Sequence, residues 1–310
     1  MNRSQTILRS LLLIPLLSLA QVSFAQDLEP RRWTHLPTDL NIIGIGTGRT
    51  DGDIYFDPIM QIEDGEFELY ALGASYIRTF EWLGRSARID FTVPYASGRW
   101  EGLVEGEFTS IRRRGFGDPR IRLSMNLYGA PPLSGKAYME HVTQNRANTS
   151  IGAAIAVTLP LGEYYPQYLI NLGKNRYIIR PSLGILHTRG PWQFELTTSI
   201  NFFTDNDEYF PDYHLKQERL WFLQGHVIRS FKRGKWASLS GGFSYGGEAS
   251  LDGTDLGNND RTRFLALSFG MPISQTQSIK LAFVNAETNV LIGTDSNSLI
   301  FSWSKIWSGN

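Results

Sequence analysis

Trp192-Gln193-Phe194-Glu195-Leu196-Thr197-Thr198-Ser199-Ile200-Asn201-Phe202-Phe203 is the most regular stretch of the chain. Side chains of an extended strand alternate between two faces. Trp192, Phe194, Leu196, Thr198, Ile200 and Phe202 therefore share one face, and Gln193, Glu195, Thr197, Ser199 and Asn201 the other. The reading is a strand with one greasy side and one wet side.

The same period recurs outward from this stretch in both directions. Ala87, Ile89, Phe91, Val93 and Tyr95 oppose Arg88, Asp90 and Thr92; Ile121, Leu123, Met125 and Leu127 oppose Arg120, Arg122, Ser124, Asn126 and Tyr128. Ile279, Leu281 and Phe283 alternate with Lys280 and Ala282, and Leu299, Phe301 and Trp303 with Ile300, Ser302 and Ser304. Twelve strands are expected: 39–49, 65–80, 86–97, 118–129, 150–161, 176–188, 191–204, 217–230, 235–247, 261–272, 277–287 and 297–307. The first, second and eighth are the least regular.

The connections alternate between short and long. Glu81 to Arg85, His187 to Pro191, Phe231 to Lys235 and Ile273 to Thr276 are short; 50–64, 98–117, 162–175, 205–216, 248–260 and 288–296 are long. One exception stands where a short turn is due, at 130–149, which opens on Pro131-Pro132 and carries a helical stretch from Lys136 to Asn145. Short periplasmic turns and long outer loops are the signature of a bacterial up-and-down barrel. An even strand number places both chain ends on the periplasmic side. Charge follows the same split. The short turns hold Arg85, Arg189, Lys232, Arg233 and Lys235; the long loops hold Asp51, Asp53, Asp57, Asp205, Asp207, Glu208, Asp212, Asp252 and Asp255.

A soluble antiparallel sandwich would alternate as well, so further features must decide. Tyr95, Trp192, Tyr245 and Trp303 sit near strand ends on the apolar faces, where amphipathic rings suit the headgroup level of a bilayer. The opposite faces carry Arg88, Asp90, Arg122 and Glu195 in mid-strand. Hydrocarbon leaves no backbone group unpaired, so a β-protein there must close on itself. The expected fold is all-β: an antiparallel up-and-down transmembrane β-barrel of about 12 strands, of the outer-membrane type.

The beginning of the chain supports export. Arg3 and Arg9 precede the apolar run Leu11 to Leu17, and Ser23-Phe24-Ala25 stands before Gln26. This pattern reads as a secretory signal peptide over 1–25 with cleavage after Ala25; the apolar run is too short to span a bilayer, which takes about 20 residues. A periplasmic N-terminal segment, 26–38, then leads into the barrel, 39–307, so the protein is expected in the bacterial outer membrane.

Without the signal, 28 basic residues face 30 acidic ones. This balance lacks the basic excess of a nucleic-acid binder. With no cysteine in the chain, neither a disulfide framework nor thiolate chemistry is available. Two residues strain the pattern. Pro181 lies inside a strand and cannot donate to a ladder, so a bulge or local break is expected there. Asn310 is not the terminal aromatic that the outer-membrane assembly machinery reads, and Trp307 stands in for it as a displaced signal.

Several motifs, taken together in order, resemble a family of outer-membrane transporters labelled by association with the meta-pathway of phenol degradation. They are Gly115-Phe116-Gly117-Asp118-Pro119-Arg120-Ile121 running to Gly129-Ala130-Pro131, then Leu159-Pro160-Leu161-Gly162, Leu169-Ile170-Asn171-Leu172-Gly173, Asn175-Arg176 and Phe202-Phe203-Thr204-Asp205-Asn206-Asp207. The resemblance covers most of 40–307. It implies a barrel and a transport role, and it supplies no catalytic residues.

Candidate chemistry is sparse. His226 beside Gln224 sits in mid-strand with no acid nearby in sequence, and the five histidines, His35, His141, His187, His214 and His226, form no catalytic pattern. No enzyme, cofactor or resident metal is expected. Asp205-Asn206-Asp207-Glu208 with Asp212 lacks the glycine and terminal glutamate of a calcium loop and reads as solvated acids. Gly44-Ile45-Gly46-Thr47-Gly48 precedes no helix, which argues against a phosphate loop; the glycines read as relief of crowding in a barrel wall. The lumen and solute-path candidates are Arg88, Asp90, Arg120, Arg122, Arg180, Glu195, Gln224 and His226, with Lys280 beside them. A cationic stretch of Arg120, Arg122 and Arg180 would favour anionic or aromatic acid solutes, since charge rings set pore selectivity. Alternatively the charges pair within a plugged barrel. The expected function is passive passage of a small solute, aromatic or hydrophobic in character; the alternative is a non-transporting structural or surface-binding barrel. Partners expected are outer-membrane lipids and lipopolysaccharide, the assembly machinery and the solute.

Overall fold

Residues 28–56, 61–145, 147–210 and 212–308 are described by a computed structural model. The expected signal peptide lies outside them. Twelve strands form the wall: β1 (Leu40–Tyr55), β2 (Ile62–Trp82), β3 (Arg85–Val104), β5 (Arg120–Tyr128), β6 (Ala147–Thr158), β7 (Ile178–Arg189), β8 (Trp192–Phe203), β11 (Leu220–Ser230), β12 (Trp236–Gly246), β15 (Thr262–Pro272), β16 (Gln277–Thr288) and β17 (Gly293–Ser308). Each pairs antiparallel with its neighbours, and β1 meets β17 from Leu40↔Ser308 to Tyr55↔Gly293. The sheet is closed. Every expected strand is present, including the three with the weakest pattern.

Exposure shows which solvent each face meets. Phe194 and Leu196 are 47% and 49% exposed, while Glu195 and Thr197 between them are 3% exposed each. Leu239 is 52% exposed beside Ser240 at 1%. A water-soluble protein buries its apolar residues, whereas this wall presents them and hides its polar ones. Such an inverted pattern is stable only with lipid outside.

The walls differ in height. About 9–11 residues cross a bilayer as a tilted strand, and β5 has 9 while β2 has 21 and β3 has 20. β3 continues upward and turns at Glu105-Gly106, both at positive φ, into β4 (Glu107–Phe116), which lies along its upper half. The long connection expected over 98–117 is therefore a tight hairpin. The stretch reads as a loop in the sequence because, above the lipid, neither face has to be apolar. Around Gly117-Asp118-Pro119 the chain steps from β4 to β5 on the same edge of β3.

Two long connections carry a small second sheet of β9 (Asn206–Tyr209), β10 (Tyr213–Gln217), β13 (Ala249–Leu251) and β14 (Thr254–Asp255). Tyr209, Leu215, Ala249, Leu251 and Leu256 form its core. At the opposite end, the exceptional connection holds helix α1 (Gly135–Gln144).

Pro181 has the expected effect. β7 pairs with β8 at Ile178, Ile179 and again from Ser182, so the ladder breaks at 180–181 without a change of register. Tyr128 departs from expectation. A register shift between Asn126 and Tyr128 turns it from the Arg120 face to the outside, where it is 63% exposed.

Candidate functional site

The lumen is the candidate site, and the N-terminal segment runs into it. Trp33 is 2% exposed and packs with Ala154 and Leu186. Its indole lies against Gly152 and Gly184, which pair across β6 and β7, and a Cβ on either would overlap the ring. Trp33 Nε1 donates to Thr197 Oγ1 over 2.8 Å, and the Ser150 hydroxyl donates to the Trp33 carbonyl over 3.4 Å. The Arg32 amide donates to Glu195 Oε1 over 3.2 Å. These contacts fill the lumen beside β6, β7 and β8.

Helix α1 braces this segment from the short-turn end. The Tyr138 hydroxyl donates to the His35 carbonyl (2.9 Å), His35 Nε2–H donates to the Pro131 carbonyl (2.8 Å), and the Thr38 amide donates to the Leu133 carbonyl (2.9 Å). The unusually long connection thus has a structural task. Burial holds the His35 imidazole below its ordinary pKa; the bond to Pro131 opposes this, and nearby His141 adds to it.

Across the lumen lies a cavity of about 400 Å³. Its wall runs through β1, β2 and β17, where Gly44, Gly46, Gly48, Ala71, Gly73 and Ser302 present almost no side chain. The glycines of β1 therefore shape space inside the barrel. Arg32, Arg120, Arg122 and Lys280 border the cavity with Glu29 and Asp90. Asp90 lies 3.5 Å from Arg88 and 4.0 Å from Arg122. Glu29 pairs with Arg32. Burial raises the pKa of its carboxyl, but Arg32, Lys280, Arg88 and Arg120 outweigh this and hold it below the ordinary carboxylate value.

The expected lumen residues all lie on strand faces directed inward, in three groups. Arg88, Asp90, Arg120 and Arg122 gather on β3 and β5 at the cavity. Glu195, Gln224 and His226 gather on β8 and β11 behind the N-terminal segment. His226 stands opposite Glu195 in register and contacts the Ser240 hydroxyl through Nδ1 at 2.7 Å. This serine and histidine come from neighbouring strands and are 1% and 3% exposed. Arg180 stands apart, bound to Asn201 and stacked on Phe222 at 4.8 Å. Trp33, Arg32 and Glu29 had no strand pattern to reveal them; an isolated tryptophan in a polar leader was their only signal.

The long-loop end is also partly covered. The connection between β6 and β7 folds inward, so that Ile170 joins Ile54, Leu69, Ala96 and Trp100 in one cluster. Asp118 secures it, accepting from the Gly162 amide at 2.9 Å and the Lys174 amide at 2.8 Å. Asn175 donates to Asn206, and Asn206 donates to the Tyr164 hydroxyl, each over 2.9 Å. Motifs scattered through the sequence thus meet in one interlocked structure.

A family model described as "Putative MetA-pathway of phenol degradation" matches residues 34–289. No curated protein matches the chain in sequence. Among solved structures, an outer membrane channel from Pseudomonas putida F1 is similar, with 17% identity and a TM-score of 0.74 over 90% of this chain and 99% of that one. The transport unit of the autotransporter AIDA-I from Escherichia coli is similar at 8% identity and a TM-score of 0.50, over 99% of this chain and 97% of that one. At such identities the likeness concerns the fold.

Proposed function

The chain belongs to the family described as the MetA-pathway of phenol degradation, and from that premise we propose that it is an outer-membrane channel for passive passage of a small solute. The short-turn end faces the periplasm, from which such barrels insert. One observation carries the reading: beside the N-terminal segment, a cavity of about 400 Å³ is bordered on β1, β2 and β17 by glycine, alanine and serine. Arg32, Arg120, Arg122 and Lys280 outnumber Glu29 and Asp90 around the cavity. A negatively charged solute is favoured there, and Ile42, Ile77, Val284 and Ile300 offer contact to an aromatic or aliphatic body. On this reading Arg88, Asp90, Arg120 and Arg122 line the path, Arg180 stands near its outer end, and Glu195, Gln224 and His226 seat the N-terminal segment. On this reading the barrel contacts outer-membrane lipids and lipopolysaccharide and is inserted by the outer-membrane assembly machinery.

Planar-bilayer recording of the purified protein and its Trp33→Ala variant tests this. A small current in the parent, a larger one in the variant and block by an aromatic carboxylate are expected. Silence from both proteins, with solute uptake unchanged in a deletion strain, would remove the proposal. A second reading is favoured by the packing of Trp33 inside the barrel: a sealed, non-transporting barrel acting through its outer loops. It expects silence from both proteins and loss of function when 205–217 is deleted.

A further inference from the structure

The outward face of the tall wall carries arginines in an unusual setting. The register of β3 and β4 puts Tyr95 opposite Phe116, Ser97 opposite Arg114 and Arg99 opposite Arg112. Ala96 and Trp100 point inward into the cluster beneath the covering loop, so Tyr95, Ser97 and Arg99 point outward. Phe116, Arg114 and Arg112 share that face and are exposed.

The level of this patch is marked by its neighbours. Tyr95 and Phe116 meet edge to face with centroids 5.2 Å apart, and Tyr70 stands alongside, 52% exposed. Below them Ile89 and Phe91 continue the lipid-facing band. Aromatic girdles settle at the headgroup level, which places Arg99, Arg112 and Arg114 among the headgroups.

Charge makes the case specific. Like charges directly opposite each other across a strand pair are destabilising, yet Arg99 faces Arg112. Arg99 is offset by Glu101 at 2.8 Å, and Arg49 further along pairs with Glu68 at 2.9 Å. Neither Arg112 nor Arg114 has a carboxylate partner among the described residues. β4 ends the strand order, and the Glu163 amide donates to the Phe116 carbonyl at its end over 2.8 Å, leaving Arg112 and Arg114 on the outward face. Arg99, Arg112 and Arg114 share one outward face at the level where phosphates would lie, and guanidinium binds phosphate through two parallel hydrogen bonds.

We propose that Arg99, Arg112 and Arg114 form a binding site for the phosphate groups of lipopolysaccharide in the outer leaflet. The inference rests on the outer-membrane reading with the long loops outside.

The test is binding of labelled lipid A to the purified full chain in detergent, with Arg112→Ser/Arg114→Ser and Arg112→Lys/Arg114→Lys as variants. Diphosphorylated lipid A is expected to bind at least tenfold more tightly than its dephosphorylated form. The serine pair should abolish that preference and the lysine pair retain part of it. Heat-modifiable migration on a gel reports the folded barrel in each variant, and the lysine pair stands in if the serine pair misfolds. Equal binding by parent and serine pair, no dependence on phosphorylation, or displacement by equimolar inorganic phosphate would each overturn the site. If the protein needs no detergent, the membrane reading fails; if it needs detergent and the variants bind alike, only the site fails.

Discussion

Trp33 donates from its indole nitrogen to the Thr197 hydroxyl at 2.8 Å, joining the segment before the first strand to the inner face of the seventh wall strand. The bond spans 164 positions and seats the segment between Gly152 and Gly184. A buried hydrogen bond left unmade costs about 1–3 kcal/mol, and truncation of a packed tryptophan costs about 3–5 kcal/mol. The seat is therefore stable but not permanent.

Gly184→Ala should unseat Trp33 without altering the segment itself, because the added methyl falls within the indole. Bilayer conductance should rise as it does for Trp33→Ala. Gly225→Ala is the control, since a Cβ there meets nothing nearer than 3.8 Å. A conductance rise in the control equal to that of Gly184→Ala would count against the glycine seat.

Docking of the segment should weaken in acid. His35 binds its proton less readily when docked than when free, through burial first and nearby His141 after it. The released state thus takes up more protons, and docking loses strength as pH falls below the ordinary imidazole value of about 6.5. Protease cleavage within 28–38 should speed up below that pH, and His35→Gln should flatten the dependence. An unchanged cleavage profile in the variant would show that another group is responsible.

Asp118→Ala should loosen the covering loop. It removes the acceptor for the amides of Gly162 and Lys174, and each unsatisfied buried amide costs about 1–3 kcal/mol. Hydrogen exchange over 159–177 should accelerate while β6 and β7 stay protected. Uniform acceleration across the barrel would mean that the residue holds the wall and not the loop.

The outer sheet should be sensitive to alkali through His214. Its imidazole bonds Asp207 at 2.6 Å and Asp205 at 3.1 Å. The bond to Asp207 raises its pKa, exposure to partial desolvation opposes this, and the charges of both carboxylates add to the rise. The tie is complete below about 6.5 and is released as pH climbs through the raised value. An NMR titration of the His214 ring in micelles giving a pKa at or below the ordinary value would contradict the ion-pair geometry.

Period-two alternation is a local property, and it made the barrel legible. It placed all twelve strands of the wall, named the inward residues from Arg88 to His226 and, with the aromatic strand ends, indicated lipid outside. Above the membrane the requirement for one greasy face ends, so β4 and the second sheet left no such trace. Glu195 and His226 became neighbours, and Trp33 found its two glycines, only when strands far apart in sequence were laid side by side. Alternation records which solvent each side chain meets, and so the order of residues determined the wall. What occupies the space within depends on contacts between distant segments, and the tertiary structure alone decided that Trp33 packs against β6, β7 and β8 while a cavity borders β1, β2 and β17.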